Sequence, residues 1–222
     1  MLFRSVGEYE RATEYLENSL AIMKEIGDRN GEATCYGNLG MVYNSVGEHE
    51  RTTEHLEKAL AINKEIGDRD GEASCYVNLG NVYQSVGEYD RAREHLEKAL
   101  AIKREIGERN GEAFCYRSLE NLCRSVGEYE KYSHYNEKSL SINRKLGNRL
   151  GEALSYLDTG DKFYSLRKFS KANEYYKKAF VIFKDIGDRA GVARFYLKQG
   201  LVELAVGKIG RASCRERVLR LV

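Results

Sequence analysis

The sequence predicts an all-α protein, a solenoid of antiparallel helical hairpins, and three observations carry that prediction. A 40-residue segment is written nearly twice over, GEATCYGNLGMVYNSVGEHERTTEHLEKALAINKEIGDRD at 31–70 and GEASCYVNLGNVYQSVGEYDRAREHLEKALAIKREIGERN at 71–110. Glycine returns at fixed places in this phase while proline is absent, which favours helices punctuated by glycine over strands or open linkers. Apolar and small residues recur at three- and four-residue steps, the spacing of one helix face. One such hairpin cannot bury its own apolar face, so repetition supplies the neighbours that complete a core.

Taken in order, residues 1–30 (SVGEYERATEYLENSLAIMKEIGDRN from Ser5) read as the second half of a truncated unit. Full units follow at 31–70, 71–110 and 151–190, with a degenerate one at 111–150 and a truncated first helix at 191–208. In the unit at 31–70, Tyr36, Leu39, Gly40 and Tyr43 share one face of a first helix. Leu56, Ala59, Leu60 and either Ile62 or Asn63 do the same on a second. Gly47 separates the two, and Ser45–Glu48 has the form of a capping box. Gly67 supplies a left-handed stop, and Asp68 then caps the next first helix. Gly40, Gly80, Gly160 and Gly200 lack a side chain where the helices of a hairpin would approach closely. Ala59, Ala99 and Ala179 serve the same end from the other helix. Tyr36, Tyr76, Tyr116, Tyr156 and Tyr196 form a stripe of core aromatics.

Cys35, Cys75 and Cys115 fall at one place in successive repeats. Packed helices stand about 8–10 Å apart, and disulfides reach only about 7 Å between Cα atoms. These cysteines therefore read as small, reduced core residues. The unit at 111 departs from the pattern: Glu120 stands for Gly, Cys123 for Tyr, and Tyr132 and Ser139 for Ala. A ring lost at 123 and gained at 132 would conserve volume if the two sites touch. Glu120 has no such compensation and predicts a locally widened hairpin. From residue 209 the helical pattern stops, and IGRASCRERV matches one reading frame of a common sequencing-library adapter. Residues 209–222, with Arg211, Arg215, Arg217 and Arg220, are thus expected to be a non-native tail. The half-repeats at both ends suggest a piece of a longer array, since solenoids carry polar caps.

In the second unit Tyr76, Leu79, Gly80, Tyr83, Gly87, Tyr89, Ala92, Leu96 and Ala99 match a signature, and on these residues the unit resembles a tetratricopeptide repeat. That resemblance implies a right-handed superhelix of stacked hairpins. The 40-residue spacing and the phrases YGNLG and VNLGNVY are similar to the longer repeats of Pins-like G-protein-signalling modulators and related scaffolds. The family's closing proline is replaced here by IGDR.

Composition excludes several functions. With 36 basic against 34 acidic residues the net charge is +2, too small a field to hold nucleic acid or an anionic membrane. No apolar run approaches the roughly 20 residues of a membrane helix, and MLFRSVGEYE lacks a signal peptide's apolar centre, so a cytoplasmic location is expected. The sequence contains no HExxH, GxSxG or phosphate-binding loop, and Glu54 to Lys58 and Glu94 to Lys98 have the i,i+4 spacing of a solvated face. Neither catalysis, a cofactor nor a metal is expected.

The resemblance implies that the first helices line a concave groove that binds an extended or helical segment of a partner protein. Its candidate residues are Asn38, Met41 and Asn44; Asn78, Asn81 and Gln84; Arg117, Asn121 and Arg124; Asp158, Asp161 and Tyr164; and Arg194 and Lys198. The amides can donate and accept at once and so hold a peptide backbone. The alternating charges that follow imply a mixed-charge ligand. The chain is thus expected to be a non-catalytic scaffold, possible pathways including G-protein or polarity signalling. The alternative is an architectural array that self-associates through its uncapped ends, with any activity in a domain outside this sequence.

Overall fold

The structure, a computed structural model, describes residues 2–219, with side chains described over 8–207. Among these residues it is all helix: α1 (Leu2–Ile26), α2 (Arg29–Ser45), α3 (His49–Ile66), α4 (Arg69–Ser85), α5 (Tyr89–Glu105), α6 (Arg109–Val126), α7 (Tyr129–Lys145), α8 (Arg149–Ser165), α9 (Phe169–Asp185) and α10 (Arg189–Leu219). The chain divides into two compact units, residues 1–128 and 129–222. In the first, α2/α3 and α4/α5 are antiparallel hairpins, α1 packs on α2, α3 on α4 and α5 on α6. In the second, α8/α9 is a hairpin flanked by α7 and α10. The two helices of the degenerate hairpin, α6 and α7, belong to different units. The expected tail at 209–222 lies outside the described side chains, and residues 220–222 lie outside the described residues.

Turn chemistry sets these boundaries. Gly67, at φ 73°, ends α3, and the Asp68 carboxylate accepts the Gly71 N–H at 2.9 Å to start α4. Asp28, Asn148 and Asp188 cap in the same way, each satisfying a backbone donor that the first helical turn would leave unpaired. The expected capping box at Ser45–Glu48 does not form. Ser45 is still helical and its hydroxyl donates to the Met41 carbonyl at 2.9 Å, while Glu48 starts α3 without a side-chain cap and pairs with Arg51 at 3.0 Å. Gly47, at φ 81°, makes this turn. At the matching place in the second unit stands Arg167, at φ 56° the non-glycine residue with left-handed backbone among those described.

The conserved spacing of glycines builds the hairpin contacts. A Cβ on Gly40 or Gly80 would stand 2.9 or 2.7 Å from Cγ of Leu56 or Leu96, and on Gly160 only 2.4 Å from the Tyr176 ring. Each glycine is therefore a notch filled by the knob of its own second helix. Gly200 breaks the expectation: nothing lies within 4 Å of its Cβ position. Tyr196 does too, being 62% exposed where Tyr36, Tyr76 and Tyr116 are buried. The cause is the same, since no second helix covers this face of α10 among the described residues.

Cys35, Cys75, Cys115 and Cys123 are buried free thiols. Burial pushes Cys75 up to about 11 and Cys115 up to about 12, so both stay protonated and unreactive at neutral pH. Glu120 is buried in α6 at 1% exposure. In the second unit, Asn136 takes the register of Leu56 and Leu96. It is buried but satisfied, donating to the Ser155 carbonyl at 3.1 Å and accepting from the Thr159 hydroxyl at 2.9 Å, as a buried amide requires. Among the described residues, no group of three His, Cys, Asp or Glu is placed to hold a metal ion. Nor, among them, is any helix long and apolar enough to cross a membrane.

Candidate functional site

In the first unit the hairpin contacts consume one face of α2 and α4 and leave the other outward. Four of the sequence candidates meet there. Met41 and Asn44 of α2 and Asn78 and Asn81 of α4 line a cleft of about 140 Å³, floored by Gly40, Thr52 and Leu56. Met41 is 59% exposed. None of these three amides hydrogen-bonds another described residue, so their donors and acceptors face solvent. Asn38 is exposed on α2 beside the cleft without lining it.

Asn78 also borders a second, larger cleft of about 380 Å³ between α4 and α6, lined by Ser74, Val77, Phe114 and the stem of Lys103. Phe114, 54% exposed, is a functional candidate that the sequence reading missed. Its signal was present: the register 34, 74, 114 reads Thr, Ser, Phe, and a phenyl where the two preceding repeats hold a small hydroxyl has no core to fill. Lys103 keeps its ammonium out of the cleft, 2.5 Å from Asp70 and 3.7 Å from Glu108.

The remaining candidates of this unit are more committed. The Gln84 amide donates to the Ser125 hydroxyl at 3.0 Å, tying α4 to α6. Asn121 accepts from Arg124 at 3.1 Å within α6, and Arg117 is half-buried. The opposite, solvated face behaves as its spacing predicts, with Glu54–Lys58 and Glu94–Lys98 paired at 2.6 Å.

In the second unit two of the candidate charges pair with each other. Asp161 accepts the Tyr176 hydroxyl at 2.7 Å through one carboxylate oxygen and holds the Lys198 ammonium at 2.7 Å through the other. Burial, reinforced by Asp161, pushes the Tyr176 phenol well above its usual range. The Asp158 carbonyl accepts the Tyr132 hydroxyl. Tyr164 packs edge-on against Phe169 at 5.5 Å, and Arg194 is exposed. Asp161 and Lys198 thus answer each other.

The tetratricopeptide repeat family matches the chain over residues 1–65, 36–105 and 71–131. No curated protein matches it. Among solved structures it is similar to BtubC (BKLC) from P. vanneervenii, at 20% identity over 96% of this chain and 90% of that one, with a TM-score of 0.78. It is similar to aspartyl phosphate phosphatase F from Bacillus subtilis, at 17% identity over 90% of this chain and 54% of that one, with a TM-score of 0.80. A Rap protein complexed with competence and sporulation factor aligns at 16% identity over 90% of this chain and 60% of that one, with a TM-score of 0.64. At these identities the likeness is one of fold, the helical solenoid.

Proposed function

The chain belongs to the tetratricopeptide repeat family, and from that premise we propose that it is a non-catalytic scaffold whose first-helix face in the first unit holds an extended or helical segment of a partner protein. The observation that carries this is the meeting of Met41, Asn44, Asn78 and Asn81 in one cleft with the amides unengaged. Asparagine is a poor helix former, and in the middle of α2 and α4 it adds nothing to the core. Exposed amides at helical spacing pair with peptide N–H and C=O groups without fixing the partner's sequence. Phe114 and Val77, next along the same face, offer an apolar seat for one anchoring side chain. A structural neighbour captured with a bound factor supports the use of this fold for capture.

The thiols and histidines favour a binding role over chemistry. The thiols are buried, with Cys75 and Cys115 held protonated, and the Nδ1 atoms of His55 and His95 sit 2.8 Å from the Arg51 and Arg91 carbonyls. Asp161 and Lys198 are structural in this reading, so the partner needs little charge of its own. The finer placement, a cytoplasmic adaptor in G-protein or polarity signalling, rests on the 40-residue period and the phrases YGNLG and VNLGNVY. The test is selection of displayed peptides on the full chain, with a variant carrying Asn78→Ala and Asn81→Ala as the counter-target. Peptides that bind the natural chain and are lost on the variant are expected. A pool that binds both equally would place recognition elsewhere.

A further inference from the structure

Within the first unit, two clefts stand one repeat apart along the edge made by the turns inside the hairpins. The first, of about 1030 Å³, is lined by Thr53 and Glu57 of α3, by Val82, Tyr83 and Val86 at the end of α4, and by Glu88. The second, of about 520 Å³, carries the same registers one repeat later: Arg93 for Thr53, Val126 for Val86 and Glu128 for Glu88. Here the chain supplies its own guanidinium. The Arg93 side chain, 21% exposed, reaches the next turn and holds Glu128 at 3.0 Å. In the first cleft no side chain makes that reach, because Thr53 is too short and its hydroxyl donates to the His49 carbonyl at 2.9 Å.

The charges of the first cleft are unbalanced in the matching sense. Five carboxylates, Glu48, Glu50, Glu54, Glu57 and Glu88, line it against Arg51 and Arg91. Both guanidiniums are engaged, Arg51 by Glu48 at 3.0 Å and Arg91 by Glu88 at 2.8 Å and the Tyr83 hydroxyl at 2.7 Å. Glu54 is engaged by Lys58 at 2.6 Å. Glu50 and Glu57 form no ion pair among the described residues, and Glu88 meets Arg91 through one of its two oxygens. His49, which also lines the cleft, keeps a buried Nδ1 without a hydrogen-bond partner, and a buried polar atom ordinarily has one. Beneath the charges lies apolar surface, with Val86 43% exposed.

We infer that the first cleft takes an arginine side chain from a segment of a partner protein, its stem on Val82 and Val86 and its guanidinium on Glu57 and Glu88, the place that Arg93 fills from within in the next repeat. A long basic side chain covers apolar surface with its stem while its head stays among polar groups. Arginine suits the site better than lysine, because its planar fork can serve two carboxylates at once. This edge is distinct from the amide face of Asn78 and Asn81, so the two binding readings stand or fall separately.

Titration of acetyl-Gly-Arg-Gly-amide into the ¹⁵N-labelled full chain, followed by amide chemical shifts, tests this. Saturable shifts are expected at Thr53, Glu57 and Val86, at least about threefold weaker for the lysine peptide, absent for the uncharged citrulline peptide, and weakened by added salt. Thr53→Arg writes the internal guanidinium of the next repeat into this cleft, so the melting temperature should hold and the arginine peptide should bind at least about tenfold more weakly. Glu57→Gln should weaken it at least about threefold, while Asn78→Ala with Asn81→Ala should leave it unchanged. No saturation with the arginine peptide, equal binding of the citrulline peptide, or a folded Thr53→Arg chain that binds like the natural one would each overturn the proposal. Shifts of the same amides on concentrating the chain alone would also overturn it, by assigning the cleft to a second copy.

Discussion

The same slot in the repeat is filled differently in the two units, and the filling decides whether the surface beside it is free. In the first unit Leu56 and Leu96 plug the Gly40 and Gly80 notches and go no further. The residues just after those glycines, Met41 and Asn81, remain outward and line an open cleft. In the second unit Tyr176 plugs the Gly160 notch and its hydroxyl emerges beside Asp161, which it engages together with Lys198. One hydroxyl thus converts a groove position into a brace. A repeat array can assign one register to recognition in one hairpin and to stability in the next by changing a core residue rather than the surface one.

That contrast is open to direct attack. The largest effect belongs to Leu96→Ala, which empties the Gly80 notch. It should lower stability by about 2–5 kcal/mol in urea denaturation, and a loss below about 1 kcal/mol would deny that the notch is core. Tyr176→Phe keeps the ring and removes only the hydroxyl on Asp161. A bond to a charged acceptor is worth about 1.5–3 kcal/mol, and the same unfolding measurement should return a loss in that range. The buried thiols contribute a pH signature. Because the folded Cys115 value lies above the ordinary 9.0, its contribution is whole below pH 9 and is lost as pH rises toward about 12. Unfolding followed against pH should therefore fall less steeply in Cys115→Ala across that window, by about 1.4 kcal/mol per pH unit at most. Arg167→Gly relieves left-handed backbone at a turn that Gly47 and Gly87 make without strain, and a gain of about 1 kcal/mol is expected. The smallest effect is the most telling for function. Asn78→Ala with Asn81→Ala should cost no stability and gain at most about 1 kcal/mol from alanine's better helix propensity, since neither amide supports the fold.

Sequence periodicity carried most of the architecture because the repeat writes each contact several times. Gly40, Gly80 and Gly160, the Asp68 cap and the buried Cys115 all follow from spacing. What escaped it depended on neighbours. Gly200 and Tyr196 carry the signature residues yet are open, because no second helix covers that face among the described residues. Ser45 has cap chemistry but sits inside the last turn of α2, so its hydroxyl bonds backward to Met41. Asp161 and Lys198 look like ligand-facing charges in sequence, and only the reach of Tyr176 across the hairpin reveals that they are spoken for. Phe114 was overlooked because a lone aromatic in a helical pattern reads as core until its exposure is known.

The central claim is that recognition belongs to the first unit's amide face. Calorimetric titration of a selected peptide into the natural chain, the Asn78→Ala/Asn81→Ala variant and Arg194→Ala tests it most directly. Two lost side-chain hydrogen bonds at about 0.5–1.5 kcal/mol each should weaken the Kd at least about fivefold in the double variant, with Arg194→Ala within about twofold of the natural chain. An unchanged Kd in the double variant, or a larger loss from Arg194→Ala, would contradict it.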